Sequence, residues 1–155
     1  MLTPEQRDDI LNEASHYPRK RAAAAEALKL VQRAHRWVSD EHLFEVAALL
    51  DMTPAELESI ATFYSLIFRR PVGRHVILIC DSVSCWVMGY EGLRDALLKQ
   101  LGIEQIGQTS ADDRFTLLPV PCLGACDRAP AMMIDEDLHG PVDVERIGEI
   151  LAKYA

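Results

Sequence analysis

Two close pairs of cysteines constrain this chain more than any other feature of its sequence. Cys80 and Cys85 are separated by four residues, Cys122 and Cys126 by three, and the 155 residues contain no other cysteine. Each pair follows a short apolar run, which is the pattern of a buried β-strand. If the two strands are neighbours in one sheet, both pairs reach the same end of that sheet. The sequence therefore predicts four thiols gathered at one point, a ligand set for zinc or for an iron–sulfur cluster.

Composition and net charge limit the possible functions of these four thiols. A hydrophobic content of 49% and a charged content of 26% predict a folded, soluble chain. The net charge of −8 argues against binding to nucleic acid or to an anionic membrane, since both need clustered positive charge. No apolar stretch approaches the roughly 20 residues that span a bilayer, and the N-terminus has no signal-peptide or transit-peptide pattern. We therefore expect a cytosolic bacterial chain, in which paired cysteines are more often metal ligands or redox catalysts than disulfides.

The spacing of the cysteines alone does not distinguish a zinc site from an iron–sulfur cluster. A thiol–disulfide catalyst usually carries C-x-x-C at a helix start, and neither pair has that spacing. Structural zinc sites accept both spacings, and a C-x4-C element also occurs in plant-type ferredoxins. The small residues Ser82, Ser84 and Gly124 allow hydroxyl and backbone N–H groups to approach cluster sulfurs. They are also ordinary turn residues, so each one alone decides nothing.

The first seventy residues predict a bundle of helices. The segments 3–6 and 53–56 each combine a threonine N-cap, a proline at the first helical position and a Gln or Glu that completes a capping box. Ser39 or Asp40 would cap the helix between them. Three apolar stripes recur at helical spacing. They are Ala24, Ala27, Leu28, Val31, Ala34 and Val38; Leu43, Val46, Ala47 and Leu50; and Leu57, Ile60, Ala61 and Tyr64.

The pattern changes after the segment 69–73, which contains Pro71 and Gly73 and marks the predicted boundary. Beyond it we expect strands over 75–80, 115–120 and 131–134, a short fourth near 138–142, and helices near 91–101 and at the C-terminus, the last with Val144, Ile147, Leu151 and Tyr154 on one face. Pro119 and Pro121 should end the second strand or place it at a sheet edge. The sequence thus predicts an α+β chain, with a helical domain over residues 1–72 and a compact sheet domain over 73–155.

Longer motifs resemble a known family. The segments Ala61-Thr62-Phe63-Tyr64, Arg70-Pro71-Val72-Gly73, Cys80-x4-Cys85 and Cys122-Leu123-Gly124-Ala125-Cys126, with Gly89 between the last two, occur in this order in the E subunit of bacterial NADH–quinone oxidoreductase, or respiratory complex I. The resemblance runs from the N-terminal helices to the last helix. It implies a thioredoxin-like C-terminal domain that holds one [2Fe–2S] cluster on Cys80, Cys85, Cys122 and Cys126. One departure is Pro121, where many members carry an acidic residue.

The same resemblance implies that the hydride chemistry belongs to a partner. In this family a flavoprotein subunit binds FMN and NADH, and the cluster exchanges single electrons with that flavin. The helical domain of residues 1–72 would help to dock this partner and further peripheral-arm subunits, on the cytoplasmic side of the inner membrane without membrane insertion. In agreement, the sequence has no G-x-G-x-x-G that opens a helix and no Walker loop, so we expect no catalytic residue in this chain.

Two alternatives remain at the level of sequence. One is the equivalent small subunit of a soluble NAD-linked formate dehydrogenase or hydrogenase, which uses the same pairing of flavin and cluster. The other, from a different functional class, is a zinc-stabilised interaction module with no redox role.

Overall fold

The computed structural model describes residues 1–154. The chain divides between Pro71 and Val72 into two compact units. The first is helical and the second contains a four-stranded sheet, so the architecture is α+β, as the sequence predicts. Within residues 1–154, no helix combines the length and the apolar character needed to cross a bilayer.

The first unit contains α1 (Pro4–Ser15), α2 (Ala24–His35), α3 (Asp40–Leu49) and α4 (Pro54–Phe63), with a 3₁₀ turn over Lys20–Ala23 before α2. Both predicted capping boxes are present. The hydroxyl of Thr3 accepts from the N–H of Gln6, and that of Thr53 accepts from the N–H of Glu56. Of the two candidate caps for α3, Ser39 is the residue that accepts, from the N–H of His42.

The core of the first unit alternates large side chains with alanines. Fully buried members include Ile10, Leu28, Leu50 and Leu57. The small residues among them, Ala14, Ala24, Ala27, Ala47 and Ala61, let the helices approach closely. Two residues of the predicted stripes lie outside this core: Ala34, in the last turn of α2, and Tyr64, which follows the last residue of α4, are both exposed.

The second unit contains β1 (His75–Cys80), α5 (Val83–Val87), α6 (Tyr90–Leu101), β2 (Phe115–Val120), β3 (Met132–Ile134), β4 (Asp137–His139) and α7 (Ile147–Leu151). The strand order is β2-β1-β3-β4. Strands β1 and β2 are parallel, and the other two pairings are antiparallel. The two prolines near the end of β2 are tolerated because this strand lies at the edge of the sheet, as predicted.

Helices α6 and α7 complete the core of the second unit. Leu93, Leu97 and Leu101 of α6 pack in one cluster with buried side chains of the sheet and with Ile147 and Leu151 of α7. The sheet contributes Ile77, Ile79, Phe115, Leu117, Met132 and Ile134. This packing buries side chains of β1 and β2 in one core, and the two cysteine loops begin at the carboxyl ends of these strands.

The predicted boundaries fail at three places in the second unit. The sequence pattern assigns no helix between Cys80 and residue 91, but part of this segment forms α5. The fourth strand is Asp137–His139 and not 138–142, because Gly140 and Pro141 follow it and Pro141 has no N–H for a ladder. The last helix is shorter than its apolar stripe: Val144 lies in a preceding 3₁₀ turn and Tyr154 beyond the helix end.

Candidate metal centre

The two cysteine pairs leave the same end of the parallel pair β1 and β2. Cys80 is the last residue of β1 and lies opposite Val120, the last residue of β2, with Cys122 two residues further on. The N–H of Asp81 donates to the carbonyl of Val120 at 3.1 Å, which holds the starts of both loops together. The sheet register therefore brings both cysteine pairs to the same end of the sheet, where the carboxyl ends of β1 and β2 meet.

Helix α5 positions the second cysteine of the first pair. The N–H of Trp86 donates to the carbonyl of Ser82 at 2.8 Å and closes the first turn. This turn directs Cys85 inward, where it is 1% exposed, while Cys80 is 3% exposed. The first pair is therefore the buried side of the site.

The second pair lies on a tight loop that is open to solvent. Gly124 has a φ of +74°, a conformation that favours glycine, and its N–H donates to the Sγ of Cys122 at 3.3 Å. Cys126 then begins a 3₁₀ turn, which ends at Arg128. Both Cys122 and Cys126 are exposed.

Small residues surround the buried thiols. Cys80 and Cys85 share a compact cluster with Ala125, Ala129 and Ala131. The N–H of Cys80 donates to the carbonyl of Ala131 at 3.2 Å, which ties the end of β1 to the segment that follows the second pair. Alanines at these positions leave the surroundings of the sulfurs apolar and sterically open.

The thiols influence each other electrostatically across the two pairs. Burial raises the pKa of Cys85, and the neighbouring Cys80 and Cys126 act in the same direction. The N–H of Gly124 lowers the pKa of Cys122, with smaller contributions from Cys126, Ser82 and Cys80. Each pair thus responds to a member of the other, so the four sulfurs occupy one neighbourhood.

The donor set is four free thiols. Within residues 1–154, no three His, Cys, Asp or Glu side chains are already arranged to hold a metal ion. The histidines have other contacts: His35 packs on His42, His75 pairs with Asp135, and His139 contacts Tyr154. A ligand set of four thiols, with a backbone N–H that donates to one of the sulfurs, fits an iron–sulfur cluster.

An exposed apolar patch lies next to the buried thiols, and the sequence analysis did not identify it. We call Val83, Trp86, Val87 and Met88 the α5 patch; these side chains are 71%, 59%, 74% and 61% exposed. Exposed apolar side chains grouped on one short helix are a feature of interaction surfaces in general. The signal in the sequence was the group of large apolar residues after Ser82, because such a group is unusual in a solvent-exposed loop.

A family profile described as thioredoxin-like [2Fe–2S] ferredoxin matches residues 10–155. The E subunit of the NADH-quinone oxidoreductase of Salmonella typhimurium is 50% identical over 153 residues, covering 99% of this chain and 92% of that protein. The corresponding E subunit of Pseudomonas aeruginosa is 48% identical over 154 residues, with the same coverage of 99% and 92%. Among solved structures, an NAD⁺-reducing [NiFe]-hydrogenase is similar with a TM-score of 0.73 and 28% identity, over 85% of this chain and 22% of that chain.

Proposed function

Because this chain belongs to the thioredoxin-like [2Fe–2S] ferredoxin family, we propose that it is the electron-transferring E subunit of an NADH–quinone oxidoreductase. The observation that carries the proposal is the convergence of two cysteine pairs at the carboxyl ends of β1 and β2 in a chain 50% identical to such subunits. Its role in the oxidoreductase is to carry electrons, and the hydride chemistry takes place on a partner.

Cys80, Cys85, Cys122 and Cys126 would hold one [2Fe–2S] cluster as thiolates. When bound, such a cluster takes up and gives back one electron at a time. The buried thiols of Cys80 and Cys85 exclude water from one side of the site, and the exposed Cys122 and Cys126 leave the other side accessible. The N–H of Gly124 stabilises negative charge on the sulfur of Cys122.

The proposed partner is a flavoprotein subunit that holds FMN and NADH. The α5 patch supports this proposal, because it places exposed apolar side chains on the helix that carries Cys85. An interface here would bring the partner's flavin near the cluster and shield the site from solvent. Burial of an exposed tryptophan is a common source of binding energy at such interfaces.

The first unit offers a second surface for the partner. Phe63, Tyr64 and Leu66 are 80%, 48% and 50% exposed. Phe63 and Tyr64 also line a groove of about 310 Å³ together with Ala22 and Ala25. We propose that residues 1–72 dock on the flavoprotein and on further peripheral-arm subunits.

The assembly would lie on the cytoplasmic side of the bacterial inner membrane, with no insertion of this chain into the bilayer and no nucleic-acid partner.

A soluble NAD-linked assembly is the second candidate. The similarity to an NAD⁺-reducing [NiFe]-hydrogenase favours it, since that protein contains a segment of the same fold at 28% identity. The relatives from quinone-reducing complexes are closer, at 50% and 48% identity over nearly the whole chain. The balance therefore favours the quinone-reducing complex over a soluble hydrogenase or formate dehydrogenase.

The metal content of the chain tests the proposed cofactor. Protein purified without oxygen should be reddish-brown and contain about two irons and two sulfides per chain, as this cluster type requires. A colourless protein with one tightly bound zinc, after control for cluster loss, would support a zinc-stabilised interaction module and reject the electron-transfer role.

Co-purification from the native host then distinguishes the quinone-linked complex from a soluble NAD-linked assembly. Membrane-arm subunits support the quinone-linked complex, whereas a soluble molybdenum or nickel enzyme contradicts it.

A further inference from the structure

A positively charged depression lies in the second unit, after the second cysteine pair. It has a volume of about 230 Å³ and lies between the 3₁₀ turn that ends at Arg128, the turn after β4 and the C-terminal segment. Its charged lining residues are Arg128, Arg146, Lys153 and Asp143, which give a formal charge of +2 from three positive residues and one negative. The chain as a whole has a charge of −8, so this concentration of positive charge opposes the general trend.

Arg128 is held in place by its own surroundings. Its Nε donates to the carbonyl of Gly140 at 3.1 Å, which leaves both terminal amino groups of the guanidinium free to donate elsewhere. Gly140 packs so closely on the backbone of Arg128 that an added Cβ would overlap its carbonyl oxygen. The floor of the depression is therefore a close contact between two loops, and one hydrogen bond orients the guanidinium toward Gly140.

The positive side chains are poorly neutralised. Within residues 1–154, no carboxylate lies within 4.0 Å of the side-chain nitrogens of Arg128 or Lys153, whereas Arg146 pairs with Glu149 at 3.4 Å. Two other nearby carboxylates accept hydrogen bonds from groups outside this set of positive side chains. Asp143 accepts from the N–H of Glu145 at 3.0 Å, and Asp137 accepts from the hydroxyl of Tyr154 at 2.7 Å. The depression thus presents the terminal amino groups of Arg128 and the ammonium group of Lys153 without a carboxylate partner, and Arg146 is shared with Glu149.

We propose that this depression binds a phosphate group. Two guanidinium groups and one ammonium group provide many N–H donors around a concave space, and guanidinium groups pair with phosphate oxygens through parallel hydrogen bonds. The space is large enough for several water molecules, and hence for a tetrahedral oxyanion. The group could belong to free inorganic phosphate or to the phosphate chain of a nucleotide.

Calorimetric titration of the full chain with its cluster in place tests the proposal. Sodium phosphate and, separately, ATP are titrated at constant ionic strength in a chloride background. We expect saturable binding of phosphate. Arg146→Gln and Lys153→Gln should each weaken it about two- to fivefold, the range for a solvent-exposed charge pair. Tighter binding of ATP than of phosphate, equally sensitive to these variants, would identify the nucleotide as the source of the group.

Lys99→Gln is the matched control, because it removes the same charge from an exposed position at the end of α6 outside the depression. If Lys99→Gln weakens binding as much as Arg146→Gln does, the attraction is non-specific and the proposal is wrong. It is also wrong if phosphate gives no saturable heat above the chloride background. Iron content and circular dichroism of each variant verify that the fold and the cluster are intact, so a lost signal reports on the depression itself.

Discussion

Cys80 lies directly opposite Val120 in the parallel register of β1 and β2. This one pairing determines where both cysteine loops begin, because Asp81 then donates to the carbonyl of Val120 and Cys122 follows two residues later. A slip of one residue would turn the side chains of a strand to the opposite face of the sheet. The buried side chains of Ile77, Ile79 and Leu117 prevent such a slip, so the hydrophobic core sets the geometry of the proposed cluster site.

Replacement of Cys122 tests the ligand assignment. We expect Cys122→Ser to remove or greatly weaken the cluster, because a serine hydroxyl is a poor replacement for a thiolate on iron. Iron and sulfide analysis, together with the EPR signal of the dithionite-reduced protein, measures the loss. Thr3→Ala is the control: it removes the cap of α1, should cost about 1 kcal/mol of stability, and should leave the iron content unchanged. Full retention of iron in Cys122→Ser would mean that the assignment is wrong.

Much of the second unit could be predicted from sequence because its signals are local. The apolar runs 75–80 and 115–120 are bounded by polar or turn residues, and both strands have the predicted limits. Helix α5 could not be predicted, because it has five residues, no side-chain cap and β-branched valines at both ends. Its Cys85 is buried in a cluster with Cys80 and three alanines that lie far along the chain, which is a tertiary contact.

The proposed site, too, could be predicted from sequence only in part. Spacing predicts that four thiols share one end of the sheet. It does not predict that Cys80 and Cys85 are buried whereas Cys122 and Cys126 are exposed. That difference depends on the alanine-lined packing around the first pair and on the open loop of the second. The exposure of Trp86 likewise follows from the direction of α5, which local sequence does not determine.

Gly124→Ala should disturb the cluster without removing a ligand. Its φ of +74° costs an alanine about 1–2 kcal/mol, so the loop is expected to shift and the N–H to move away from the sulfur of Cys122. Loss of this donor destabilises the more negative, reduced state, so the reduction potential should become more negative. An EPR-monitored redox titration measures it. Gly107→Ala is the control, since its φ of +98° imposes similar strain outside the cysteine loops. Equal shifts in both variants would exclude a specific role of the hydrogen bond.

Trp86→Glu should weaken binding to the flavoprotein subunit and leave the cluster intact. The indole is 59% exposed on α5, so a charge there changes the surface of the α5 patch and not the core. Removal of a central interface tryptophan commonly costs 2 kcal/mol or more, which corresponds to a loss of affinity of about thirtyfold. Surface plasmon resonance with the purified partner measures the affinity. Val144→Glu changes an exposed apolar side chain, 44%, of the second unit outside the α5 patch and should have little effect. Unchanged affinity of Trp86→Glu would place the interface elsewhere.

Two glycines should respond in opposite directions to alanine. Gly73 is buried, its N–H donates to the Oγ1 of Thr116 at 2.7 Å, and an added Cβ would lie 3.0 Å from the backbone of Arg114 and Phe115. Gly73→Ala should therefore destabilise the protein by about 1–3 kcal/mol through overpacking. Gly92 lies within α6 with no atom near an added Cβ, so Gly92→Ala should stabilise by about 0.5–1 kcal/mol. Urea unfolding measures both values, and a stabilising Gly73→Ala would contradict the close packing at that position.

The capping box of α4 should make stability depend on pH. The carboxylate of Glu56 accepts from the N–H of Thr53 at 2.9 Å and from Arg21 at 2.7 Å. The Thr53 N–H, with Arg21 and the Thr53 hydroxyl, lowers the pKa of Glu56 from 4.5 to about 2. Because the pKa is lower in the folded state, the stabilisation is complete above pH 4.5 and is lost as the pH falls from about 4.5 to about 2.

Glu56→Gln should abolish this pH dependence while it keeps an acceptor at the same position of the helix. The box of α1 provides the natural comparison, since Gln6 fills the equivalent position with a side chain that does not titrate. Melting temperatures of the two proteins, measured between about pH 6 and pH 3, should therefore converge as the carboxylate takes up its proton. Acid loss of the cluster affects both proteins equally, so their difference isolates Glu56. A difference that stays constant over this range would show that the carboxylate does not stabilise α4 through its charge.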